Sequence, residues 1–334
     1  MLAYIGTYSW NIPGRLGPGK GVYRLSFDEN TGRFLSAPEL AAELENASYL
    51  RFRGERMYAV AELPAGNGEL HGYDVLPDGA LRETFAASTG GVAPCHVNIG
   101  PDYVAAANYM SGSVAYFPLR DGVPGGNVLF RNEGHGPDAA RQEGPHMHST
   151  LTGPDGRLFA ADLGTDEIVV FDPTPDGLVR RFSGKAPGGF GPRHMVFSKD
   201  GRTLYCVCEM GAALCAWTYT GSELRFEGSI SILPEGYDGM KSGADLLLSP
   251  DGNTLYASNR VHDSIAVVDI RDGMRLDRLY AAGGRTPRGT ALTPDGRWLL
   301  VAHQDSDSLV SIDAATGGIA DRTAVPVPVC VKLR

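Results

Sequence analysis

Residues 191–210, GPRHMVFSKDGRTLYCVCEM, decide the fold because they contain one complete copy of a unit that recurs along the chain. Strand-forming residues at 193–197 and 203–208 flank a turn at 198–201, in which glycine adopts a backbone conformation that other residues resist. The stretch therefore predicts a β-hairpin.

The turn of this hairpin recurs at residues 153–156, 249–252 and 293–296, and in a shorter form at 100–102. Its aspartates are separated by 53, 45, 51 and 44 residues. Strand pairs repeated at such a period predict a β-propeller rather than a helical solenoid.

Two further units lack the turn signature. One covers residues 48–63, and the other is split between the termini, with residues 325–333 as its first strand and residues 2–8 as its second. Pairing the two ends of the chain would protect the free edges of a radial array of sheets. The sequence thus predicts a single all-β domain over residues 1–334, a seven-bladed β-propeller with four antiparallel strands per blade, closed by N- and C-terminal strands in one blade.

Composition agrees with many turns, since the chain holds 44 glycines and 22 prolines. We expect helix to be nearly absent, because no stretch shows helical periodicity between caps and the best candidate, residues 40–45, is short. A net charge of −9 and the absence of a basic stripe argue against a nucleic-acid partner. The chain starts without a recognisable signal peptide and has no apolar run long enough to span a membrane. We expect a cytoplasmic protein without a membrane partner, either a monomer or a weak homo-oligomer.

The cysteines favour the same compartment. There are five, an odd number, and their spacings suggest neither a disulfide framework nor a metal site. We expect buried, reduced thiols at positions 95, 206, 208, 215 and 330.

Aligning the blades on the turn aspartate reveals two columns of candidate site residues. The first column lies seven residues before the aspartate and the second lies one position later. Because side chains alternate along a strand, we expect one column to face the central channel and the other to face the gap between blades. The first column contains Cys95, His148, Arg193, Ala244 and Arg288, and the second contains His96, Ser149, His194, Asp245 and Gly289.

Polar residues also occur where the second strand of a blade ends, level with the first column along the channel: Glu62, Asn108, Asp162, Glu209, Arg260 and Gln304. Cations, carboxylates and imidazoles that converge on a channel mouth would form a substrate pocket. Repeated polar residues can also brace neighbouring blades, and we expect that role for the turn aspartates. Two arginines near one channel mouth need an anionic partner, which favours a functional role for His148, Arg193, Glu209 and Arg260.

Further motifs carry a resemblance that extends over nearly the whole chain: residues 4–8 (YIGTY), 94–97 (PCHV), 107–109 (ANY), 141–148 (RQEGPHMH), 162–166 (DLGTD), 189–194 (GFGPRH), 258–260 (SNR) and 325–331 (VPVPVCV). In this ordered set the chain resembles the seven-bladed propeller lactonases, which include the propeller-type 6-phosphogluconolactonases and the carboxy-muconate cyclases. The resemblance implies that His148, Arg193, Glu209 and Arg260 act in catalysis.

The chain departs from that family at three places. It has Asp245-Leu246-Leu247 where the family usually has Glu-Ile-His, and it has Cys208 and His303 where asparagine is usual. These changes bear on the substrate more than on the reaction class.

Opening a sugar δ-lactone requires an activated water, a donor for the developing oxyanion and a proton for the leaving ring oxygen. We predict His148 as the general base, with Glu209 orienting it or sharing that role, and Arg193 as the oxyanion donor. Arg260, together with Arg141 or Lys241, would hold an anion of the substrate. The predicted substrate-binding residues are His146, His96, Arg141, His194, Arg288 and Gln304.

The predicted activity is hydrolysis of 6-phospho-D-glucono-1,5-lactone without a metal or other cofactor. A metal site on His146, His148 and Glu209 is a weaker alternative, since His-x-His alone is a common pattern. A non-phosphorylated aldonic or aldaric lactone is an alternative substrate. A muconate-type isomerase and a non-catalytic binding propeller remain alternative functions.

Overall fold

The computed structural model describes residues 1–10, 16–66, 68–120 and 122–334. From the N-terminus, the first β-strands are β1 (Leu2–Thr7), β2 (Gly21–Asp28), β3 (Arg33–Phe34), β4 (Glu39–Glu43), β5 (Ala47–Arg53), β6 (Arg56–Ala61), β7 (Glu69–Val75), β8 (Leu81–Ser88), β9 (Pro94–Ile99), β10 (Tyr103–Asn108), β11 (Ser113–Arg120), β12 (Val123–Pro124) and β13 (Val128–Arg131).

The remaining strands are β14 (Met147–Thr152), β15 (Leu158–Asp162), β16 (Glu167–Thr174), β17 (Gly177–Lys185), β18 (Pro192–Phe197), β19 (Thr203–Cys208), β20 (Ala213–Tyr219), β21 (Leu224–Ser231), β22 (Gly243–Leu248), β23 (Thr254–Asn259), β24 (Ser264–Asp269), β25 (Arg275–Ala281), β26 (Pro287–Leu292), β27 (Trp298–His303), β28 (Ser308–Asp313), β29 (Ile319–Ala324) and β30 (Pro328–Leu333). One 3₁₀-helix, Gln304–Ser306, lies among the described residues, and strand β4 overlaps the best helix candidate at residues 40–45.

The described strands form seven sheets, and consecutive strands pair within each sheet. Five of them are simple four-stranded meanders, β5–β8, β14–β17, β18–β21, β22–β25 and β26–β29. In the sheet that joins the termini, β30 pairs with β1, which pairs with β2, as the split unit predicts. The repeat pattern predicts this arrangement of seven sheets, one of which combines strands from both ends of the chain.

The hairpin at residues 191–210 forms as its sequence suggests. Gly201 closes the turn with φ +70°, and its N–H donates to the carbonyl of Ser198 at 2.9 Å. The carboxylate of Asp200 accepts from the hydroxyl of Ser198 and from the backbone N–H of Arg202. Local bonds of this kind lower the pKa of Asp200.

Asp200 thus stabilises its own turn rather than joining blades, contrary to the expectation of bracing. Asp251 and Asp295 repeat the local pattern of Asp200. Asp155 differs because it also accepts from the hydroxyl of Tyr219 in the neighbouring sheet at 2.5 Å. The side chain of Asp155 therefore braces two sheets in addition to its own turn, because strand β20 supplies a tyrosine.

Contact density divides the chain into two compact units. Unit 1 comprises Met1–Leu50, Val75–Arg82 and Ile230–Arg334, and unit 2 comprises Arg51–Asp74 and Glu83–Ser229. In unit 1, apolar clusters fill the spaces on both sides of the sheet β26–β29. In unit 2, apolar clusters fill the spaces on both sides of the sheet β14–β17. Each core thus lies between adjacent sheets, so that both faces of a blade are covered. The single-domain assignment stays a prediction.

The five cysteines are all free and buried, as predicted. Burial holds the pKa of the Cys208 thiol well above its ordinary value, with Cys206 and Cys215 adding to the effect. Nucleophilic reactivity depends on the thiolate, so Cys208 is an inert core residue. Among the residues described, no helix is long and apolar enough to cross a membrane.

His303 ends strand β27 at a position that asparagine occupies in two other blades. Asn108 and Asn259 donate there to Ser113 and Ser264, and the residue paired with His303 is Ser308. His303 is fully buried, and burial lowers its pKa to about 4, with the charge of Arg322 acting in the same direction.

We expect the His303→Asn variant to lose part of the pH dependence of unfolding. The unfolded chain binds a proton at this imidazole below its ordinary pKa near 6.5, whereas the folded chain excludes that proton until about pH 4. Stability therefore falls as pH falls through this window, by about 2 kcal/mol between roughly pH 7 and pH 5. Urea unfolding of both proteins at the two pH values measures the difference, and equal pH slopes would contradict it.

Candidate active site

The first strands of the blades contain β-bulges at the positions of the first candidate column. On β14, pairing passes from Met147 directly to Ser149, so that His148 is the extra residue. The pairing skips Arg193 on β18 and Arg288 on β26 in the same way. A bulge bends the strand and redirects the side chain at the extra residue, and such features are frequent beside active sites.

Because of these bulges, the two candidate columns are not separated as strand alternation predicted. Nη1 of Arg193 lies 3.3 Å from Nε2 of His194, the next residue. The ring of His194 also lies 5.5 Å from that of His148 and 5.3 Å from that of His96, with both pairs edge to face. Members of both columns therefore contribute to one buried group of imidazoles and cations.

Glu209 is the centre of this group in unit 2. Its Oε2 accepts from Nε of Arg193 at 3.1 Å and lies 3.9 Å from Nε2 of His148. Its Oε1 accepts from Nη2 of Arg141 at 2.7 Å, and the same nitrogen donates to the hydroxyl of Tyr109 at 3.3 Å. We call Tyr109, Arg141, His148, Arg193 and Glu209 the Glu209 cluster.

Burial strengthens the interactions between the charged groups of this cluster. Arg193 and Glu209 are only 3% and 6% exposed, whereas the side chain of Arg141 is 47% exposed. Two guanidinium groups stabilise the ionised carboxylate of Glu209 and leave the cluster with a net positive charge. Such a cluster can bind an anion or stabilise negative charge that develops during a reaction.

Sequence reasoning missed Tyr109 because it matched Asn108 and Asp162 with Glu209, although both lie one position earlier in their blades than Glu209 does. Asn108 and Asp162 pair with the first residues of β9 and β14, as Cys208, Asn259 and His303 do on their partner strands. The residues that correspond to Glu209 are therefore the ones that follow: Tyr109, Leu163, Arg260, Gln304 and, in the blade that joins the termini, Tyr8. Alignment on strand ends rather than on polarity would have found both tyrosines.

The phenol of Tyr109 is a neutral donor and acceptor in this site, because burial raises its pKa. Its ring stacks on that of His146 at 4.6 Å and meets that of His148 edge to face. Tyr109 therefore fixes the side chains of the loop and of strand β14 that contribute to the cluster.

Asp162 is a structural residue rather than a pocket residue. Its Oδ1 accepts the backbone N–H groups of His146, Gly164 and Thr165, and its Oδ2 accepts from the side chain of Asn132. Burial raises the pKa of Asp162 despite these bonds. It holds the turn after β15 and the segment that leads into β14.

His146 is tied between two oxygen acceptors. Its Nδ1 lies 3.0 Å from the carbonyl oxygen of Tyr109, and its Nε2 lies 3.2 Å from Oε1 of Glu143. With both nitrogens so placed, His146 does not serve the suggested metal site with His148 and Glu209. In the described ranges, no group of three or more histidine, cysteine or acidic residues is arranged to hold a metal ion.

His96 and Cys95 support the cluster from strand β9. Nδ1 of His96 accepts the backbone N–H of Thr150 at 3.3 Å. The thiol of Cys95 donates to the carbonyl oxygen of His148 at 3.2 Å, at the bulge itself. These two residues connect β9 to β14 and stabilise the position of His148.

Three predicted site residues, Arg260, Arg288 and Gln304, lie in unit 1. Nη2 of Arg288 donates to the hydroxyl of Tyr8 at 2.8 Å, and its Nη1 donates to Oε1 of Gln304 at 3.3 Å. Nη2 of Arg260 donates to the carbonyl oxygen of Gly243 at 3.3 Å. Asp245 is a brace between two sheets, because its Oδ2 accepts from both the N–H and the hydroxyl of Thr290.

A cleft of about 740 Å³ in unit 2 is distinct from the Glu209 cluster. It is lined by turn residues such as Pro101, Asp155 and Pro175. These turns connect the ends of the strands that are opposite to the bulges, so the cleft adds no residue to the site.

Comparison with known proteins places the chain in a family. A family model described as a seven-bladed β-propeller lactonase matches residues 2–333, and it confirms the predicted fold. The 6-phosphogluconolactonase of Bacillus subtilis strain 168 is 30% identical over 279 residues, which cover 80% of this chain and 77% of the relative.

Two solved structures extend the similarity. The periplasmic gluconolactonase of Pseudomonas aeruginosa has a TM-score of 0.89 and 28% identity, with 99% of each chain covered. A Bacteroides fragilis protein provisionally assigned as a 6-phosphogluconolactonase has a TM-score of 0.89 and 31% identity, with 99% of this chain and 97% of the other covered. Together with the family match, these similarities show that the chain belongs to the seven-bladed β-propeller lactonase family and is an enzyme of the lactone hydrolase class.

Proposed function

We propose that this lactonase hydrolyses 6-phospho-D-glucono-1,5-lactone to 6-phosphogluconate. The observation that carries the proposal is the buried Glu209 cluster, in which two guanidinium groups and an imidazole surround one carboxylate. Similarity to a Bacillus subtilis enzyme with this name supports the choice of substrate.

Hydrolysis begins when a water oxygen attacks the lactone carbonyl carbon. His148 takes a proton from that water and then donates a proton to the ring oxygen as the carbon–oxygen bond breaks. The carbonyl oxygen becomes negatively charged during the attack, and Arg193 donates hydrogen bonds to it. The products are a carboxylic acid, which releases the second proton of the water to solvent and becomes a carboxylate, and the hydroxyl that was the ring oxygen.

Glu209 acts as a positioning residue in this scheme. It already accepts hydrogen bonds from Arg141 and Arg193, which makes it a poor proton acceptor. Its carboxylate holds Arg193 in place and faces the ring of His148 at 3.9 Å, where it would stabilise the imidazolium formed during the reaction.

The remaining predicted residues have proposed roles in substrate binding. Arg260 is the proposed ligand for the phosphate, since a guanidinium forms paired hydrogen bonds with such an anion. Roles in binding are also proposed for His96, Arg141, His146, His194, Arg288 and Gln304.

We further propose that the protein works in the cytoplasm, as a monomer or weak homo-oligomer without nucleic-acid or membrane partners. Five free cysteines support a reducing compartment. The similar Pseudomonas aeruginosa enzyme is periplasmic and is named for gluconolactone, so a non-phosphorylated lactone in an oxidising compartment is the second candidate.

The test is hydrolysis of freshly generated 6-phosphoglucono-δ-lactone, glucono-δ-lactone and a hexaro-lactone, each measured against spontaneous opening and with a chelator present. We expect chelator-resistant turnover that favours the phosphorylated lactone. Arg260→Ala should reduce kcat/KM for this substrate by about 10²-fold, because a charge-assisted pair with the phosphate is lost.

Arg271→Ala is the matched control, since Arg271 is a surface arginine paired with Asp269. Preference for glucono-δ-lactone would favour the second candidate. Failure to exceed the spontaneous rate on all three lactones would overturn the proposed function.

A further inference from the structure

Trp10 is an exposed aromatic residue that stacks on Tyr8, the tyrosine bonded to the predicted substrate-binding residue Arg288. Its side chain is 43% exposed, whereas the other two tryptophans, Trp217 and Trp298, are buried in apolar cores. The indole stacks on the ring of Tyr8 at 4.2 Å with an interplanar angle of 18°. A large aromatic surface left in water at a polar site suggests a binding function.

The backbone around this stack is held in place. The N–H of Ser9 donates to Oδ1 of Asn46, and the N–H of Asn46 donates to the hydroxyl of Ser9. The N–H of Tyr8 donates to the carbonyl of Val327, and the carbonyl of Tyr8 accepts from Gly19. Ordered backbone on either side of Tyr8 means that little entropy is lost when a ligand contacts the stack.

Polar groups adjoin the same stack. The guanidinium of Arg288 lies 5.2 Å from the centre of the Tyr8 ring and donates to its hydroxyl. Arg288 also contacts Gln304, whose Nε2 donates to Oδ1 of Asp305. An apolar face, a cation and an amide thus form a continuous set, which we call the Trp10 platform: Tyr8, Trp10, Arg288 and Gln304.

We propose that the Trp10 platform binds the sugar ring of an anionic sugar acid, with the C–H face of the ring on the indole and the ring hydroxyls at Arg288 and Gln304, while the phosphate stays with Arg260. The inference rests on the proposed function and specifies how its substrate class is recognised. A sugar ring has an apolar C–H face and hydroxyls at its edge, which match the indole and Gln304.

The test measures quenching of tryptophan fluorescence by acrylamide in the full-length protein. Because Trp217 and Trp298 are buried, the accessible emission comes from Trp10. We expect 6-phosphogluconate to protect this emission and inorganic phosphate at the same concentration to leave it unchanged. Trp10→Phe removes the accessible emission and identifies its source.

Kinetics with the lactone supplies the second measurement. Trp10→Ala should raise KM about tenfold and leave kcat within about twofold, whereas Trp10→Phe should keep most of the affinity because an aromatic face remains. Leu35→Ala is the control, since Leu35 is an exposed apolar residue that lies outside the platform.

The outcomes separate this inference from the proposed function. Protection by 6-phosphogluconate without turnover of any lactone would support the platform and overturn the function. Lactone turnover with no protection and an unchanged KM in Trp10→Ala would overturn the platform alone. Equal protection by inorganic phosphate would also overturn it, because the sugar ring would then make no contribution.

Discussion

Replacing Arg193 with methionine is expected to reduce kcat by about 10²–10³-fold, the usual effect of removing one oxyanion donor. Arg193 is 3% exposed and donates from Nε to Glu209 at 3.1 Å, so its guanidinium cannot be replaced by solvent. Methionine keeps much of the side-chain volume but removes every donor. Steady-state hydrolysis of the lactone above the spontaneous rate measures the loss.

The same change should reduce the free energy of unfolding by about 3 kcal/mol, because Glu209 loses Arg193, the buried one of its two cationic contacts. The double variant Arg193→Met with Glu209→Gln removes both charges and should recover most of that stability without recovering activity. Arg193→Lys keeps the charge and provides a variant expected to fold. Recovery of activity in the double variant would show that Arg193 acts only as a counter-ion.

Replacing His148 with asparagine is expected to lower kcat by about 10²–10⁴-fold, the range for removal of a general acid–base residue. Asparagine can form hydrogen bonds but cannot exchange a proton with water near neutral pH. His148 is buried at a bulge, with Nε2 facing Glu209 at 3.9 Å and the Cys95 thiol bonded to its carbonyl. The solvent deuterium isotope effect on kcat should fall together with the rate.

His71→Asn is the matched control. His71 lies on β7 between the carboxylates of Glu69 and Glu83, outside the Glu209 cluster. We expect this change to leave kcat within about twofold, because His71 contacts no residue of that cluster in these bonds. Near-normal turnover with an unchanged isotope effect in His148→Asn would eliminate His148 as the base.

Much of the fold was predictable because its determinants are local and repeated. The Ser198–Gly201 turn requires a glycine at positive φ and a short side chain that accepts a hydrogen bond from the nearby backbone. Both residue types can be recognised in the sequence. The strand pair formed by the two ends of the chain was predictable from the missing halves of one repeat. Tertiary pairing overrode the helical tendency at residues 40–45, where β4 completes the sheet beside β2.

The candidate site was predictable in its residue types but less so in its geometry. Equivalent positions in the repeats identified His148, Arg193 and Arg288, and three predicted catalytic residues, His148, Arg193 and Glu209, do come together. Tyr109 was hidden by a register error of one residue, which polarity alone could not reveal. Trp10 has no counterpart in the repeat pattern, so an alignment of blades gives it no signal.

The sequence by itself determined the repeated hairpins, their turns, the number of blades and the chemical groups available to the site, because these depend on residues close together in the chain. Only the tertiary structure decided which groups meet. A bulge adds one residue to a strand and changes where His148 and Arg193 point, and it is defined by pairing with a neighbouring strand rather than by the residue itself. The contacts of Glu209 with Arg141 and Arg193 and the stack of Trp10 on Tyr8 likewise depend on packing of the folded chain.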